Sequence, residues 1–143
     1  MPEIILKHRA RPKPFMEHPT GQFATATGAM ADAIDRLRAL PEWNEWIFFN
    51  AQGAGEQEDS YHFGEIRVLR DLIDPGVPID IEMIASTAHV ETSRITRRDD
   101  GIYRLSHTTS LDVAQILDAI FRKTLDIRPF EDEDDDYAIG AEW

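Results

Sequence analysis

The sequence predicts an α+β fold, a two-layer sandwich in which two helices cover one face of a mainly antiparallel sheet of about five strands. Three observations support this prediction. Apolar residues recur at helical spacing in two segments, apolar runs typical of strands lie between them, and short turn sequences join those runs. A chain of 143 residues is most simply one domain. We divide it into a basic arm (1–19), a body (20–130) and an acidic segment with an apolar end (131–143).

The first helix is expected to begin at Thr25 or Thr27, either of which can cap free backbone N–H groups, and to end before Pro41. Its apolar stripe consists of Met30, Ala33, Ile34, Leu37 and Leu40. The second helix is expected to run from a cap at Ser110 to about Asp126. Its wider stripe consists of Val113, Ala114, Ile116, Leu117, Ile120, Phe121 and Leu125. Both stripes are predicted to pack on the same sheet.

The stretch 43–69 is the expected centre of the core because large aromatic residues bury the most area. Its aromatic residues are Trp43, Trp46, Phe48, Phe49, Tyr61 and Phe63. Residues 45–51 form a dense apolar run, which predicts a central strand. Gly53 and Gly55 follow this run and predict a loop. Without a third glycine or a following lysine, they do not indicate a phosphate site.

Two further segments are predicted as strands. Residues 61–69 alternate imperfectly, and Gly64 suggests a bulge where the pattern changes face. Residues 66–74 also fit a short helix, and we favour a strand to about Leu69 followed by a turn. Residues 79–85 alternate apolar and polar side chains, which predicts a half-buried strand.

A β-hairpin is the clearest local prediction. The segments 94–98 and 102–108 flank Asp99, Asp100 and Gly101. Because an Asp-Gly pair readily adopts the positive φ angles of a tight turn, the two segments are expected to pair as antiparallel strands.

Composition limits the classes of function. The formal net charge is −12, and six consecutive acids occupy 131–136. An acidic body repels phosphate backbones and anionic membrane surfaces, so nucleic-acid and membrane partners are not expected. The chain has no cysteine and no apolar run of membrane-spanning length. The apolar run Ile4–Leu6 is too short for a signal peptide, so we expect a cytoplasmic protein. We also expect no cofactor.

A cluster beside the glycine loop is the candidate catalytic site. Asp59, Ser60, His62 and Glu65 place acid, hydroxyl and imidazole groups within seven residues. Such groups could serve a small hydrolase-like or metal-dependent enzyme, provided that they converge in one pocket. Closeness in sequence does not establish that geometry. We therefore favour a structural role in which His62 is half-buried and hydrogen-bonded.

Metal binding is a second alternative at two places. Scattered imidazole and carboxylate groups could bind zinc or iron, although none has helical ligand spacing. They are His62, Glu65, His89, Glu91 and His107. In the acidic segment, Asp132, Asp134 and Asp136 have the spacing that begins a calcium loop. Tyr137 occupies the position that needs glycine, so a standard calcium-binding hand is not expected, and we predict no metal site.

The acidic segment is the candidate partner-binding site. Charge can steer a partner and aromatic residues can anchor it. The residues concerned are Asp132, Asp134, Asp135, Asp136, Tyr137 and Trp143. We expect the apolar residues among and beside them to dock on the body. The favoured function is therefore a non-catalytic acidic protein-binding module, comparable in character to inhibitors and immunity-type proteins that neutralise a partner.

The two ends of the chain have opposite charges. Lys7, Arg9, Arg11 and Lys13 would share one face of an extended arm. This arm could neutralise the acidic segment, within one chain or between the two chains of a homodimer. Because exposed pairs contribute only about 0–1 kcal/mol each, apolar anchors would have to hold both ends.

Overall fold

Strands and helices follow one another in an α+β order, in a computed structural model that describes residues 14–18, 25–55, 61–130 and 136–142. The elements are β1 Pro14–His18, α1 Ala26–Arg38, β2 Ile47–Ala54, β3 Tyr61–Leu69, β4 Leu72–Asp74, α2 Ile81–Ala88, β5 Ile95–Arg97, β6 Tyr103–Leu105, α3 Ser110–Ala119 and β7 Ala138–Glu142. A 3₁₀ turn at Thr92–Arg94 precedes β5, and a π-helical turn at Ile120–Thr124 continues α3.

The seven described strands form one antiparallel sheet in the order β1-β7-β2-β3-β4-β6-β5. The predicted α+β class and the antiparallel sheet are confirmed, although the sheet is wider than the five strands expected. The central pair β2 and β3 keeps an unbroken register, from Ile47 opposite Val68 to Ala54 opposite Tyr61. The predicted hairpin is also confirmed, because β5 and β6 pair across Asp99–Gly101.

The helices share one hydrophobic core with one face of the sheet, here called the core face. Alternate residues of β2 and β3 point into this core and are fully or almost fully buried. They are Ile47, Phe49, Ala51, Ile66 and Val68. The intervening residues point to the opposite face, here called the outer face. Phe63 belongs to the outer face and is 68% exposed, so its predicted place in the core was wrong.

Local capping sets the starts of α1 and α3. Thr25 caps α1 by accepting a hydrogen bond from the N–H of Gly28, as predicted. The cap of α3 is Thr109 rather than the predicted Ser110, and it forms a reciprocal capping box with Asp112. The two helices pack against each other, and α2 also packs on α3.

Residues 79–85 do not form the predicted strand. The segment Ile81–Ala88 is an α-helix capped by Asp80, whose side chain accepts from the N–H of Met83. Its buried residues are Ile84, Ala85 and Ala88. The apolar alternation of 79–85 was therefore misleading, because a short segment rich in apolar residues fits the period of a strand and that of a helix.

Gly53 and Gly64 lie inside paired strands, so the predicted loop at Gly53 and the predicted bulge at Gly64 were wrong. Both positions leave little room for a side chain, because the segment after α3 crosses the sheet there. A Cβ atom at Gly53 would lie 2.1 Å from the carbonyl oxygen of Arg128, and one at Gly64 would lie 3.1 Å from Leu125 Cδ1. Close backbone approach therefore explains Gly53, whereas the side chains of Leu125 and Ile127 pack tightly over Gly64.

Candidate functional site

The predicted catalytic residues are not gathered into one site. In the register of β2 and β3, His62 lies on the core face and Glu65 lies on the outer face. His62 Nε2 lies 2.8 Å from the carbonyl oxygen of Leu125, and Glu65 lies 3.9 Å from Arg67. Asp59 and Ser60 fall outside the described residues. His62 therefore has the predicted hydrogen bond, although its side chain is exposed rather than half-buried.

Asp136 is bonded to the body of the molecule. One carboxylate oxygen accepts from Arg122 Nη2 at 2.5 Å, and the other accepts from the backbone N–H of Ala26 at 3.0 Å. The second bond satisfies a free N–H group in the first turn of α1, across 110 positions of sequence. Asp136 therefore ties the start of β7 to α1 and to the π-helical turn after α3.

Tyr137 is fully buried beside Asp136. Its hydroxyl donates to Asp118 Oδ1 at 2.5 Å, and its ring lies 5.9 Å from the ring of Phe121. The guanidinium of Arg122 lies 4.9 Å from the centre of the Tyr137 ring and donates to the same carboxylate of Asp118. We call Asp118, Arg122, Asp136 and Tyr137 the β7 clamp.

Burial and charge shift the pKa values of two clamp residues. Burial raises the pKa of the Tyr137 phenol, and the adjacent carboxylate of Asp118 raises it further. Burial alone would lower the pKa of Arg122, but the carboxylates of Asp118 and Asp136 outweigh that effect and the pKa is raised. The clamp therefore favours a neutral phenol and a charged guanidinium, which are the forms its hydrogen bonds require.

The β7 clamp changes the interpretation of the predicted partner-binding residues. Because Tyr137 is buried and Asp136 faces Arg122, neither side chain presents a surface to a partner. The predicted docking of the apolar end is confirmed at Tyr137 and Ile139, which are both buried. The other predicted residues lie outside the described part of the chain: Asp132, Asp134, Asp135 and Trp143. The same is true of the basic residues Lys7, Arg9, Arg11 and Lys13.

Metal ligation finds no support among the side chains that the structure describes. Within residues 25–55, 62–130 and 136–142, no three histidine, aspartate or glutamate residues are grouped so that they could hold an ion. Asp136, the last member of the predicted calcium triplet, already binds Arg122 and Ala26. In the described part of the chain no helix has the length and apolar character needed to cross a membrane.

In the described part of the chain, the helices pack on the core face and leave the outer face of the sheet open. Phe63 stands there beside its cross-strand neighbour Gln52, and Phe48 lies partly covered by Arg67. The guanidinium of Arg67 lies 5.2 Å from the centre of the Phe48 ring. Sequence analysis placed Tyr61 and Phe63 on the face opposite Ile66 and Val68, but it included Phe63 in the expected core and interpreted the change of face at Gly64 as a bulge. The regular register leaves Phe63 on the outer face.

A small cavity lies beside the β5–β6 hairpin. It has a volume of about 170 Å³ and is lined by Asp74, Arg97, Asp100 and Tyr103, with the two turns that flank them. The hydroxyl oxygen of Tyr103 accepts from the N–H of Ile79 at 3.1 Å. This volume is below the roughly 300 Å³ at which pockets for drug-sized ligands begin.

Comparison with known proteins gives no relative. No protein-family model, no curated protein and no solved structure matches the chain. Its function must therefore be argued from the surfaces described above.

Proposed function

We propose that the chain is a non-catalytic protein-binding module, in the broad class that contains inhibitors and immunity-type proteins. The observation that carries the proposal is the outer face, on which Phe63 is 68% exposed while the helices cover the opposite face. Exposed large aromatic residues are enriched at the energetic centres of protein interfaces. A paired, regular sheet also holds this side chain in a fixed position before binding, which lowers the entropic cost of association.

The charges of the outer face suit binding to a protein better than binding to a small ligand. The outer face carries Glu65 and Arg67 on β3 and Arg104 on β6, so both signs occur within it. Asn50 donates to Glu142 at 3.0 Å, which adds a polar border near β7. The outer face therefore combines an exposed apolar residue with polar groups of both signs, which resembles the composition of a non-obligate protein interface.

The net charge of −12 adds a long-range contribution. It would attract a basic partner and speed its encounter, while contacts on the outer face would provide specificity. Asp132, Asp134 and Asp135 belong to this steering charge. Among the described residues of the Gly53–Glu65 segment, nothing favours the alternative of an enzyme, since His62 and Glu65 lie on opposite faces.

The experiment begins with co-purification of partners from the source cells, followed by reconstitution with the purified partner and calorimetric measurement of Kd. Phe63→Arg should weaken binding about tenfold or more, because it replaces an apolar anchor with a charge. The Phe63→Arg variant should be as stable as the unmodified protein, since exposed substitutions usually change the free energy of unfolding by less than about 0.5 kcal/mol.

Leu111→Arg is the matched control. Leu111 is 51% exposed on α3, within the helical layer, so the same change is made on the other side of the molecule. Its Kd should equal that of the unmodified protein. A partner that binds Phe63→Arg as tightly as Leu111→Arg, or the absence of any co-purifying protein, would contradict the proposal.

A further inference from the structure

The β5 strand forms a free edge of the sheet. In the described part of the chain it is the last strand in the order and pairs with β6 alone. The N–H of Ser106 donates to the carbonyl of Arg94, and the N–H of Arg98 donates to the carbonyl of Ile102, both at 2.9 Å. In an antiparallel ladder, residues that bond to the partner strand alternate with residues whose backbone points away.

Ile95 and Arg97 are the residues whose backbone groups point away from β6. The N–H of Ile95 is bonded to the carbonyl of Thr92. The carbonyl of Ile95 and both backbone groups of Arg97 have no hydrogen-bond partner among the described residues. Such groups are the template on which an extended peptide adds as a further strand.

Within the described residues, the side chain of Arg97 is also without a carboxylate partner. No aspartate or glutamate described here lies within 4.0 Å of its guanidinium, whereas Arg98 pairs with Asp100 at 3.0 Å. The acids beside Arg97 in the cavity are bonded within their own turns. Asp74 accepts from the N–H of Gly76 at 3.0 Å, and Asp100 also accepts from the N–H of Ile102 at 3.2 Å.

The β5–β6 hairpin also carries a local excess of positive charge. Between positions 94 and 104 the sequence has four arginines and only two aspartates, in a chain whose net charge is −12. The hairpin is therefore a positive region on an acidic protein. Arginine beside a short edge strand discourages pairing between copies of the same edge, because like charges would meet. A ligand that supplies a carboxylate would be attracted by Arg97, whose neighbours Asp74 and Asp100 are bonded within their own turns.

We propose that the β5 edge binds an extended peptide segment that carries a carboxylate. The backbone of the peptide pairs with the outward N–H and carbonyl groups of Arg97, and its carboxylate binds the guanidinium of Arg97 beside the cavity. This proposal deepens the protein-binding function, on which it rests, but uses a surface separate from the outer face.

The test is an NMR titration of the full chain with three N-acetylated six-residue peptides built from serine and threonine. One has an internal glutamate and an amidated C-terminus, the second has glutamine and a free C-terminal carboxylate, and the third has glutamine and an amidated C-terminus. At least one of the two peptides that carry a carboxylate should shift the amide signals of Ile95–Arg98. The Kd of that peptide should be about tenfold lower than the Kd of the neutral peptide. The first two peptides distinguish a side-chain carboxylate from a terminal one.

Two arginine variants complete the test. Arg97→Gln should remove the tenfold preference for the carboxylate while leaving the backbone groups in place. Arg104→Gln is the control, because Arg104 is another exposed arginine of the hairpin with no carboxylate within 4.0 Å in the described part of the chain. The proposal is overturned if no peptide shifts the β5 amides at millimolar concentration, if the neutral peptide binds equally well, or if both variants behave alike. None of those results would affect a partner whose binding depends on Phe63, so each of the two proposals can fail without the other.

Discussion

The strands β7 and β5 lie near opposite ends of the sheet, β7 as the second strand and β5 as the edge strand, and they differ in how their polar groups are satisfied. At β7, the hydroxyl of Tyr137 and both carboxylate oxygens of Asp136 have partners on the helical layer. At β5, the guanidinium of Arg97 and its backbone groups have no partner in the described part of the chain. The same sheet therefore has internal bonds that hold the inner strand β7 and donors that face outward at the edge strand β5.

This difference separates residues that stabilise the fold from residues that can recognise a ligand. A buried polar group without a partner costs free energy, so a completely bonded cluster such as the β7 clamp is expected to be sensitive to substitution. An exposed group is satisfied by water and can exchange that water for a ligand. The comparison predicts large stability effects at β7 and small ones at β5.

Tyr137→Ala should cause the largest loss. It removes a fully buried ring from its contact with Phe121 and leaves Asp118 without the phenol donor. We expect the free energy of unfolding to fall by about 3–5 kcal/mol in urea denaturation. Tyr137→Phe keeps the ring and should cost about 1–2 kcal/mol. A loss below about 1 kcal/mol for the alanine variant would show that the clamp is not a stabilising element.

Alkaline pH should weaken the β7 end selectively. Because the pKa of Tyr137 is raised in the folded protein, the folded state keeps the phenol proton after the unfolded chain loses it above about pH 10. The contribution of this phenol to the free energy of unfolding is therefore fully present below about pH 10. Above that pH it falls by up to about 1.4 kcal/mol per pH unit.

Urea denaturation from pH 8 to 11.5 would measure this effect, with Tyr137→Phe as the reference. The variant cannot ionise at that position, so the unmodified protein should lose its advantage over the variant as the pH rises. Parallel curves for the two proteins would contradict the assignment.

Arg97→Gln should have the smallest effect on stability. Arg97 is exposed and has no carboxylate within 4.0 Å among the described residues, so we expect a change of less than about 0.5 kcal/mol. The matched substitution Arg122→Gln, which removes bonds to Asp118 and Asp136, should cost about 1–2 kcal/mol. Equal losses at the two positions, measured by denaturation at pH 7, would abolish the distinction between the two ends.

Features determined by a few neighbouring residues could be predicted from the sequence. Asp99–Gly101 gave the hairpin correctly, and Gly101 has the positive φ of 81° that such a turn requires. The helix cap at Thr25 was also local. By contrast, Ile81–Ala88 contains only eight residues, too few for the helical and strand periods to separate. The cap at Asp80 was the local feature that could have indicated a helix.

The candidate sites depended on contacts that the sequence does not encode locally. Asp136 and Ala26 are 110 positions apart, so no pattern indicated that this carboxylate would cap α1. The exposure of Phe63 followed from the register of β3 against β2 and from the side on which the helices pack. A sequence shows alternation, but the assembled layers decide which alternating set is covered.

The position of β7 also sets an order of assembly. This strand lies between β1 and β2, so β1 has no described neighbour until residues 138–142 are in place. Roughly 120 residues separate β1 from β7, and a ribosome adding about 5–20 residues per second needs roughly 6–24 s to make them. For the part of that time that follows the synthesis of β2, the β2 edge that will receive β7 is open to pairing with another nascent chain. The strand that finishes the sheet therefore also ends the period in which this chain is most exposed to misassembly.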